Sequence, residues 1–146
     1  MRVTVVYDSV YGNTEKVAKA IGAAIAGEVR VAKVGEVSAS GLQDADLLVL
    51  GSPTLGGRPT EPMQGFLASL SEAQLKGKKA ASFDTRYAGR FVKVFGFAAE
   101  KMSESLTAKG ATLVAPPQPF IVTGKKGPLK EGELERAASW ARDISK

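Results

Sequence analysis

The fold follows from one stretch of the chain, Tyr7-Asp8-Ser9-Val10-Tyr11-Gly12-Asn13-Thr14. A β-branched run precedes it, at Val3, Val5 and Val6, and is typical of a strand. Apolar residues follow it at helical spacing, at Val17, Ile21 and Ile25. The stretch is therefore predicted to be a tight loop between a strand and a helix, with the N-terminus of the helix at its end.

This loop has the composition of a phosphate-binding site. Free N–H groups and the positive end of the helix dipole can hold an anion without a basic residue, and residues 7–14 contain no Lys or Arg. Gly12 permits close approach of the backbone to a ligand, and Ser9, Asn13 and Thr14 offer short donors. This chemistry suits a phosphate monoester. The alternative is that the three polar residues only cap the helix.

The composition predicts one domain, residues 1–146, and narrows the chemistry. The chain is 44% hydrophobic and 24% charged, as is ordinary for a globular protein. It has no Cys, which excludes disulfides, thiol catalysis and Cys-ligated metals. It has no His, which excludes Ser-His and Cys-His pairs and His-ligated metals. We therefore expect no catalytic side chain and no metal site, so a bound cofactor would carry any chemistry.

The charge favours acidic partners, since the net charge is +5 and the pI is near 9.5. The basic residues are scattered, without a long run or interleaved aromatic residues, so specific nucleic-acid binding is not expected. The apolar run after Arg2 ends at Tyr7 and Asp8, too short for a signal peptide or a membrane span. We expect a cytoplasmic protein that is not bound to a membrane.

Strand and helix patterns alternate along the rest of the chain. Strands are predicted at 29–34 and 47–50, at 79–83, and at 112–114 with 120–122, where prolines 116, 117 and 119 interrupt the last one. Helices are predicted at 62–70 and from Phe95 to Gly110, followed by a basic loop at 124–132 and a last helix lined by Leu134, Ala138, Ala141 and Ile144. Such alternation predicts a three-layer α/β fold, with a doubly wound parallel sheet of five strands and helices on both faces.

Two more loops of unusual composition follow strands of this sheet. One is Gly51-Ser52-Pro53-Thr54-Leu55-Gly56-Gly57-Arg58-Pro59, and the other is Asp84-Thr85-Arg86-Tyr87-Ala88-Gly89-Arg90. In doubly wound sheets, ligands bind beyond the carboxyl ends of the strands, where the strand order reverses. The three loops are therefore predicted to form one site.

Over its whole length the chain resembles the flavodoxin family, specifically the short-chain type. The most specific match is Ser9-Val10-Tyr11-Gly12-Asn13-Thr14-Glu15-Lys16-Val17-Ala18, which is similar to the family's Ser/Thr-x-Thr-Gly-Asn-Thr phosphate loop. The resemblance implies the strand order 2-1-3-4-5 and FMN as cofactor. The first loop would surround the phosphate, and the second and third would cover the two faces of the flavin ring. The implied cofactor-binding residues are Ser9, Val10, Tyr11, Gly12, Asn13, Thr14, Pro53, Thr54, Leu55, Gly56, Gly57, Asp84, Thr85, Arg86 and Tyr87.

Two positions depart from the usual family pattern, and so does the spacing between the third loop and the helix that follows it. Tyr11 stands where a phosphate-contacting threonine is usual, and is more similar to the tryptophan-repressor-binding-protein type of quinone reductase. Leu55 stands where many flavodoxins have tryptophan. Tyr87 is the expected stacking residue of the third loop, with Phe91 as the alternative.

Charge is the largest departure, because flavodoxins that carry electrons are typically acidic. Here Arg58, Arg86 and Arg90 fall in the two ring loops, with Lys93 just beyond. Cations close to the ring would make the reduced flavin less strongly reducing, unless they are solvated surface residues.

The resemblance implies a monomeric carrier that passes electrons between redox partner proteins. The alternative function is an FMN-dependent NAD(P)H:quinone-type oxidoreductase, which Tyr11 and the arginines favour.

Overall fold

The computed structural model describes residues 1–87 and 96–146. Its strands are β1 Arg2–Tyr7, β2 Glu28–Lys33, β3 Leu47–Pro53, β4 Lys79–Tyr87, β5 Thr112–Leu113 and β6 Gln118–Val122. Its α-helices are α1 Asn13–Ala24, α2 Glu61–Ser69, α3 Glu72–Leu75, α4 Ala98–Ala108 and α5 Glu133–Ile144, and a 3₁₀ turn covers Ala39–Leu42.

All strand pairs are parallel, and the sheet order is β2-β1-β3-β4-β5. The predicted order 2-1-3-4-5 and the α/β fold class are confirmed. The last position of the sheet is shared by two short strands, since β5 pairs with the start of β4 and β6 with its end. Prolines 116, 117 and 119 lie in or beside this break, because proline has no N–H to donate to a ladder.

Helices cover both faces of the sheet and bury one apolar cluster on each. The residues Leu47, Leu48, Val49 and Leu50 of β3 are fully buried, as expected for a central strand covered on both faces. On one face α1 and α5 pack on the sheet, and on the other α2, α3 and α4 do so. The predicted apolar residues of α1, α2 and α4 that the structure describes are all buried.

Two central strands run further than predicted. Residues 51–53 and 84–87 are strand, not loop, and they pair as Gly51↔Phe83, Ser52↔Asp84 and Pro53↔Thr85. Gly51 permits this pairing, because a Cβ at this position would lie 2.0 Å from the Phe83 ring. The end of β4 is also paired with β6 on its other side. The predicted residues 88–95, including Arg90, Phe91, Lys93 and Phe95, lie outside the described residues.

The buried face of α5 also differs from the prediction. Leu134 is 41% exposed and Ala138 is half-buried, whereas Ala137 and Trp140 are buried beside Ala141 and Ile144. Trp140 sets this rotation by packing edge-to-face against Phe83 and Phe120, with ring centroids 6.1 Å apart in both pairs. Phe83 and Phe120 are themselves 6.0 Å apart. Each such pair contributes about 0.5–1.5 kcal/mol beyond the burial of its apolar area.

Within residues 1–87 and 96–146, none of the helices combines the length and the apolar character needed to cross a bilayer.

Candidate functional site

A cleft of about 470 Å³ opens beyond the carboxyl ends of the central strands. It is lined by Val10, Tyr11, Asn13, Thr14, Pro53, Thr54, Leu55, Gly56, Thr85, Tyr87, Val122 and Lys125. All three predicted segments contribute to its wall, and its volume is in the usual range for a small-molecule site. Among the predicted site residues, Ser9, Gly12, Gly57, Asp84 and Arg86 do not line it.

Residues 9–14 form a loop and the first residues of α1, and four of their N–H groups are open to an anion. Gly12 is left-handed, with φ 92°, and directly precedes α1. The Ser9 hydroxyl oxygen accepts from the N–H groups of Gly12 at 3.1 Å and Glu15 at 3.4 Å, so Ser9 takes up one N–H of the first turn of α1, whose N-cap residue is Gly12. Within the part of the chain that the structure describes, the N–H groups of Val10, Tyr11, Asn13 and Thr14 have no acceptor. These free donors and the α1 dipole favour an anionic ligand.

The side chains at the start of α1 fasten this loop to two other segments. The hydroxyl oxygens of Thr14 and Thr85 lie 2.7 Å apart in a buried hydrogen bond to β4. The Asn13 amide Nδ2 donates to the main-chain oxygen of Lys126 at 3.2 Å. The beginning of α1, the end of β4 and the loop after β6 are thereby held around one cleft.

The second predicted segment, residues 51–59, contains a tight turn at the cleft. Leu55 and Arg58 exchange two main-chain hydrogen bonds, of 2.9 and 3.1 Å. Between them Gly56 has φ 58° and Gly57 has φ 80°, as a type I′ turn requires. The turn leaves Leu55 41% exposed on the cleft wall.

Exposed apolar side chains concentrate at this cleft. Among the described residues, seven large hydrophobic side chains are exposed, and four of them line it: Val10, Tyr11, Leu55 and Tyr87. Apolar side chains grouped in this way around a concave surface mark a binding site.

The family model described as flavodoxin matches residues 5–140. The chain belongs to the flavodoxin family. Flavodoxin of Clostridium saccharobutylicum is 33% identical over 89 residues, which cover 58% of this chain and 56% of that protein. Flavodoxin of Picosynechococcus sp. is 33% identical over 99 residues, which cover 63% of this chain and 58% of that protein. The matched part thus spans a little over half the length of these two curated flavodoxins.

Solved flavodoxin structures match nearly the whole chain. A flavodoxin from the domain Archaea superposes with a TM-score of 0.84 at 26% identity, over 99% of this chain and 96% of that one. Oxidised flavodoxin 1 of Bacillus cereus superposes with a TM-score of 0.82 at 22% identity, over 99% and 97% of the two chains, and shows the same fold.

Proteins of the flavodoxin family bind FMN, and the cleft of this flavodoxin-family chain suits that cofactor. Its free N–H groups at Val10, Tyr11, Asn13 and Thr14 are donors for a phosphate. Its exposed apolar walls at Leu55 and Tyr87 suit a flat aromatic ring.

Two of the predicted site residues are instead part of a buried ion-pair network. The carboxylate of Asp84, which is fully buried, accepts from Arg86 Nε at 2.9 Å and Nη2 at 2.7 Å. Arg86 also donates to Glu100 at 2.7 Å, and its guanidinium lies 3.6 Å from the centroid of the Phe97 ring. Arg86 is therefore paired with two carboxylates and does not line the cleft.

Burial and pairing act in opposite directions on these groups. Burial raises the pKa of the Asp84 carboxyl, and hydrogen bonds from Arg86, the Ala99 N–H and Thr54 offset part of that rise. Burial alone would lower the pKa of Arg86, but its bonds to Asp84 and Glu100 raise it. Arg86 remains a cation whose charge is compensated locally.

The same network positions Thr54 on the cleft wall. The Thr54 hydroxyl donates to Asp84 at 3.1 Å and accepts from the N–H of Ala98 at 2.9 Å, while its own N–H donates to the Thr85 oxygen at 3.0 Å. Asp84 also accepts from the N–H of Ala99 at 3.0 Å. Asp84 thus joins the N-terminus of α4 to the second segment of the site.

Asp8 was not among the predicted site residues, yet it holds two site segments together. Its carboxylate, on a buried residue, accepts from the N–H of Ser9 at 2.9 Å and from the hydroxyl of Thr60 at 2.5 Å. The N–H of Thr60 donates to the Ser52 hydroxyl at 3.0 Å, and the Thr60 hydroxyl caps α2 by accepting from Met63 at 3.3 Å. A carboxylate directly after an apolar strand was the available signal for Asp8.

Val122 and Lys125 also line the cleft without having been predicted to do so. They lie at the end of β6 and in the basic loop that follows it. Because β6 is parallel to β4, its carboxyl end meets the same edge of the sheet. The prolines indicated an interrupted strand, so its carboxyl end was not predicted to contribute to the site.

Proposed function

We propose that this chain binds FMN in the 470 Å³ cleft and carries electrons between redox partner proteins. The observation that carries the proposal is a combination found in one cleft of a flavodoxin fold: N–H donors that have no acceptor among residues 1–87 and 96–146, and grouped exposed apolar side chains. FMN would supply reversible uptake of electrons when bound. The chain would bind it, orient it and exclude water from it.

The loop at residues 9–14 would hold the phosphate, with the free N–H groups as donors and Thr14 beside them. Leu55 and Tyr87 would pack on the ring, since both are exposed and both line the cleft. Thr54 and Thr85 are fixed by the Asp84 and Thr14 hydrogen bonds and would define the floor between them.

An NAD(P)H:quinone-type oxidoreductase is the second function that the sequence suggests. The arginines favour this function less once the described residues are considered, because Arg86 is already paired with Asp84 and Glu100. Arg58 lines a separate groove of about 590 Å³ between α2 and α4. We therefore expect no sustained oxidation of NADH or NADPH by the protein alone with a quinone, and multiple turnovers would favour the reductase.

The cofactor proposal is tested by the visible spectrum of the purified protein and by titrating the flavin-free protein with FMN, FAD and riboflavin. We expect a flavin spectrum and tight binding that requires the phosphate of FMN. Protein that is colourless and binds none of the three flavins would refute the proposal.

A matched pair of variants tests the placement of the phosphate. Thr14→Val removes a buried hydroxyl on the cleft wall, and Thr107→Val makes the same change at an exposed position of α4. A hydrogen bond to a charged group is worth about 1.5–3 kcal/mol, so Thr14→Val is expected to weaken FMN binding by about ten-fold or more. Thr107→Val should not change it, and equal effects of the two variants would contradict this placement.

The proposal extends to the redox partner, the oligomeric state and the location of the protein. With a net charge of +5, the carrier would dock on acidic surfaces of its partners, as a monomer in the cytoplasm. Light scattering at a mass near 15.3 kDa would support the monomer. Electron transfer that slows with added salt would support an acidic partner, and transfer that speeds up would contradict it.

A further inference from the structure

Among the residues that line the cleft in the described part of the chain, Lys125 is the charged one. The other lining residues are apolar or carry neutral polar groups, and residues 7–14 contain no basic side chain. An anionic ligand in this cleft would therefore meet its formal positive charge in the loop after β6.

Lys125 is brought to the cleft by a well-defined loop. The N–H of Gly127 donates to the Gly124 oxygen at 3.1 Å, and the N–H of Thr123 donates to the Pro128 oxygen at 2.9 Å. The N–H of Lys130 donates to the Ile121 oxygen at 2.8 Å, which ties the end of this loop back to β6.

The loop is also fixed against the start of α1, next to the free N–H groups. Asn13 donates its amide to the main-chain oxygen of Lys126, the residue after Lys125. Gly127 packs so closely on Asn13 that a Cβ at this glycine would lie 2.7 Å from both amide atoms. The segment that carries Lys125 is therefore attached to the phosphate loop and not to the turn at Gly56.

We propose that Lys125 binds the phosphate group of FMN and makes the affinity of the site depend on ionic strength. This rests on the proposed function, since it requires that the cleft holds FMN. A phosphate monoester carries about 1.5–2 negative charges at neutral pH. An ion pair about 4 Å apart in water is worth about five-fold in a binding constant for each unit of charge. Lys125 is exposed, so we expect a total effect of about 5- to 20-fold.

The test compares Lys125→Ala with Lys130→Ala, a control that removes an exposed lysine of the same loop that does not line the cleft. The flavin-free proteins are titrated with FMN and with riboflavin, following flavin fluorescence, at low salt and at 1 M salt. Lys125→Ala is expected to weaken FMN binding by about 5- to 20-fold at low salt and riboflavin binding by less than about two-fold. At 1 M salt the Debye length falls to about 3 Å, so the difference for FMN should largely disappear. Lys130→Ala should bind both flavins like the wild type, and Lys125→Arg should keep FMN affinity within about two-fold.

Three outcomes would overturn the inference. Equal weakening of FMN and riboflavin by Lys125→Ala would place the lysine at the ring or in a structural role. Equal weakening of FMN binding by both alanine variants would show that binding responds only to the net charge of the protein. Unchanged FMN binding by Lys125→Ala would show that the lysine does not contact the phosphate. By contrast, wild-type protein that binds neither flavin would refute the proposed function itself.

Discussion

Replacing Thr60 with valine removes the hydroxyl that joins Asp8 to the N-terminus of α2. That hydroxyl donates to the Asp8 carboxylate at 2.5 Å and accepts from the N–H of Met63 at 3.3 Å, and Thr60 is only 5% exposed. A hydrogen bond to a charged group is worth about 1.5–3 kcal/mol, and an N-cap about 0.5–2 kcal/mol. Since both bonds use one hydroxyl, we expect a total loss of about 2–4 kcal/mol in the free energy of unfolding.

Thr60→Ser is the matched control, because it keeps the hydroxyl and loses only a methyl group. It should cost less than about 1 kcal/mol. Urea unfolding of Thr60→Val, Asp8→Ala and the double variant gives the coupling energy of the pair, expected at about 1.5–3 kcal/mol. A coupling energy near zero, or a Thr60→Ser variant as unstable as Thr60→Val, would refute the view that Asp8 joins the loop at residues 9–14 to the segment at residues 51–60.

Three further changes test the core, the ion-pair network and the turn. Trp140→Ala should lower the free energy of unfolding by about 3–5 kcal/mol, measured by urea titration, because it leaves a cavity beside Phe83 and Phe120; a loss below about 1 kcal/mol would contradict the packing. Arg86→Ala should cost about 3–5 kcal/mol at pH 7 by leaving the Asp84 carboxylate buried and unpaired. Because the pKa of Asp84 is raised in the folded state, that state binds the proton more tightly than the unfolded state does. The contribution of Asp84 to the free energy of unfolding therefore falls as pH rises above the ordinary pKa of 3.8. The loss of stability in Arg86→Ala should accordingly be smaller at pH 4 than at pH 7. Gly57→Ala should cost about 1–2 kcal/mol in the free energy of unfolding because its φ is 80°, and unchanged stability would show that the turn adapts.

The alternation of strands and helices was enough to predict a parallel sheet with helices on both faces, because each apolar pattern was local and each crossover had one allowed hand. The order of the strands came from the resemblance to the flavodoxin family. The ends of β3 and β4 were not predictable in the same way. Residues 84–87 begin with Asp84, a residue type that is depleted in strands, and include the charged Arg86. They are strand because β6 pairs with them and because Arg86, Thr54 and Ala99 satisfy the buried carboxylate. These partners are distant in sequence, so no local pattern reveals them.

Helix α5 shows a similar limit on sequence prediction. Its apolar residues permit more than one buried face, since Leu134 and Ala138 fit helical spacing as well as Ala137 and Trp140 do. The structure buries the second set, because Trp140 completes a cluster with Phe83 and Phe120 from two strands. Glu133 is buried as well and accepts from the N–H of Ile121 at 2.7 Å, which fixes the start of the helix. A large aromatic residue with distant partners thus overrides a local apolar pattern.

The effect of basic residues on the flavin depends on which part of the cofactor they would face. Arg58, Arg86 and Arg90 fall in the two loops predicted to cover the ring, where they would be either close to it or solvated. In the structure Arg86 is paired with two carboxylates and Arg58 lines the groove between α2 and α4, while Arg90 lies outside the described residues. Lys125 is instead attached to the phosphate loop through the neighbouring Lys126 and Asn13. A cation at the phosphate would bind oxidised and reduced FMN alike, because the phosphate keeps its charge when the ring is reduced. By linkage, a group that stabilises both redox states equally leaves the potential unchanged. Redox titration of Lys125→Ala should therefore give the wild-type reduction potentials despite its weaker affinity for FMN. A shift of the potentials to more negative values would place this cation at the ring.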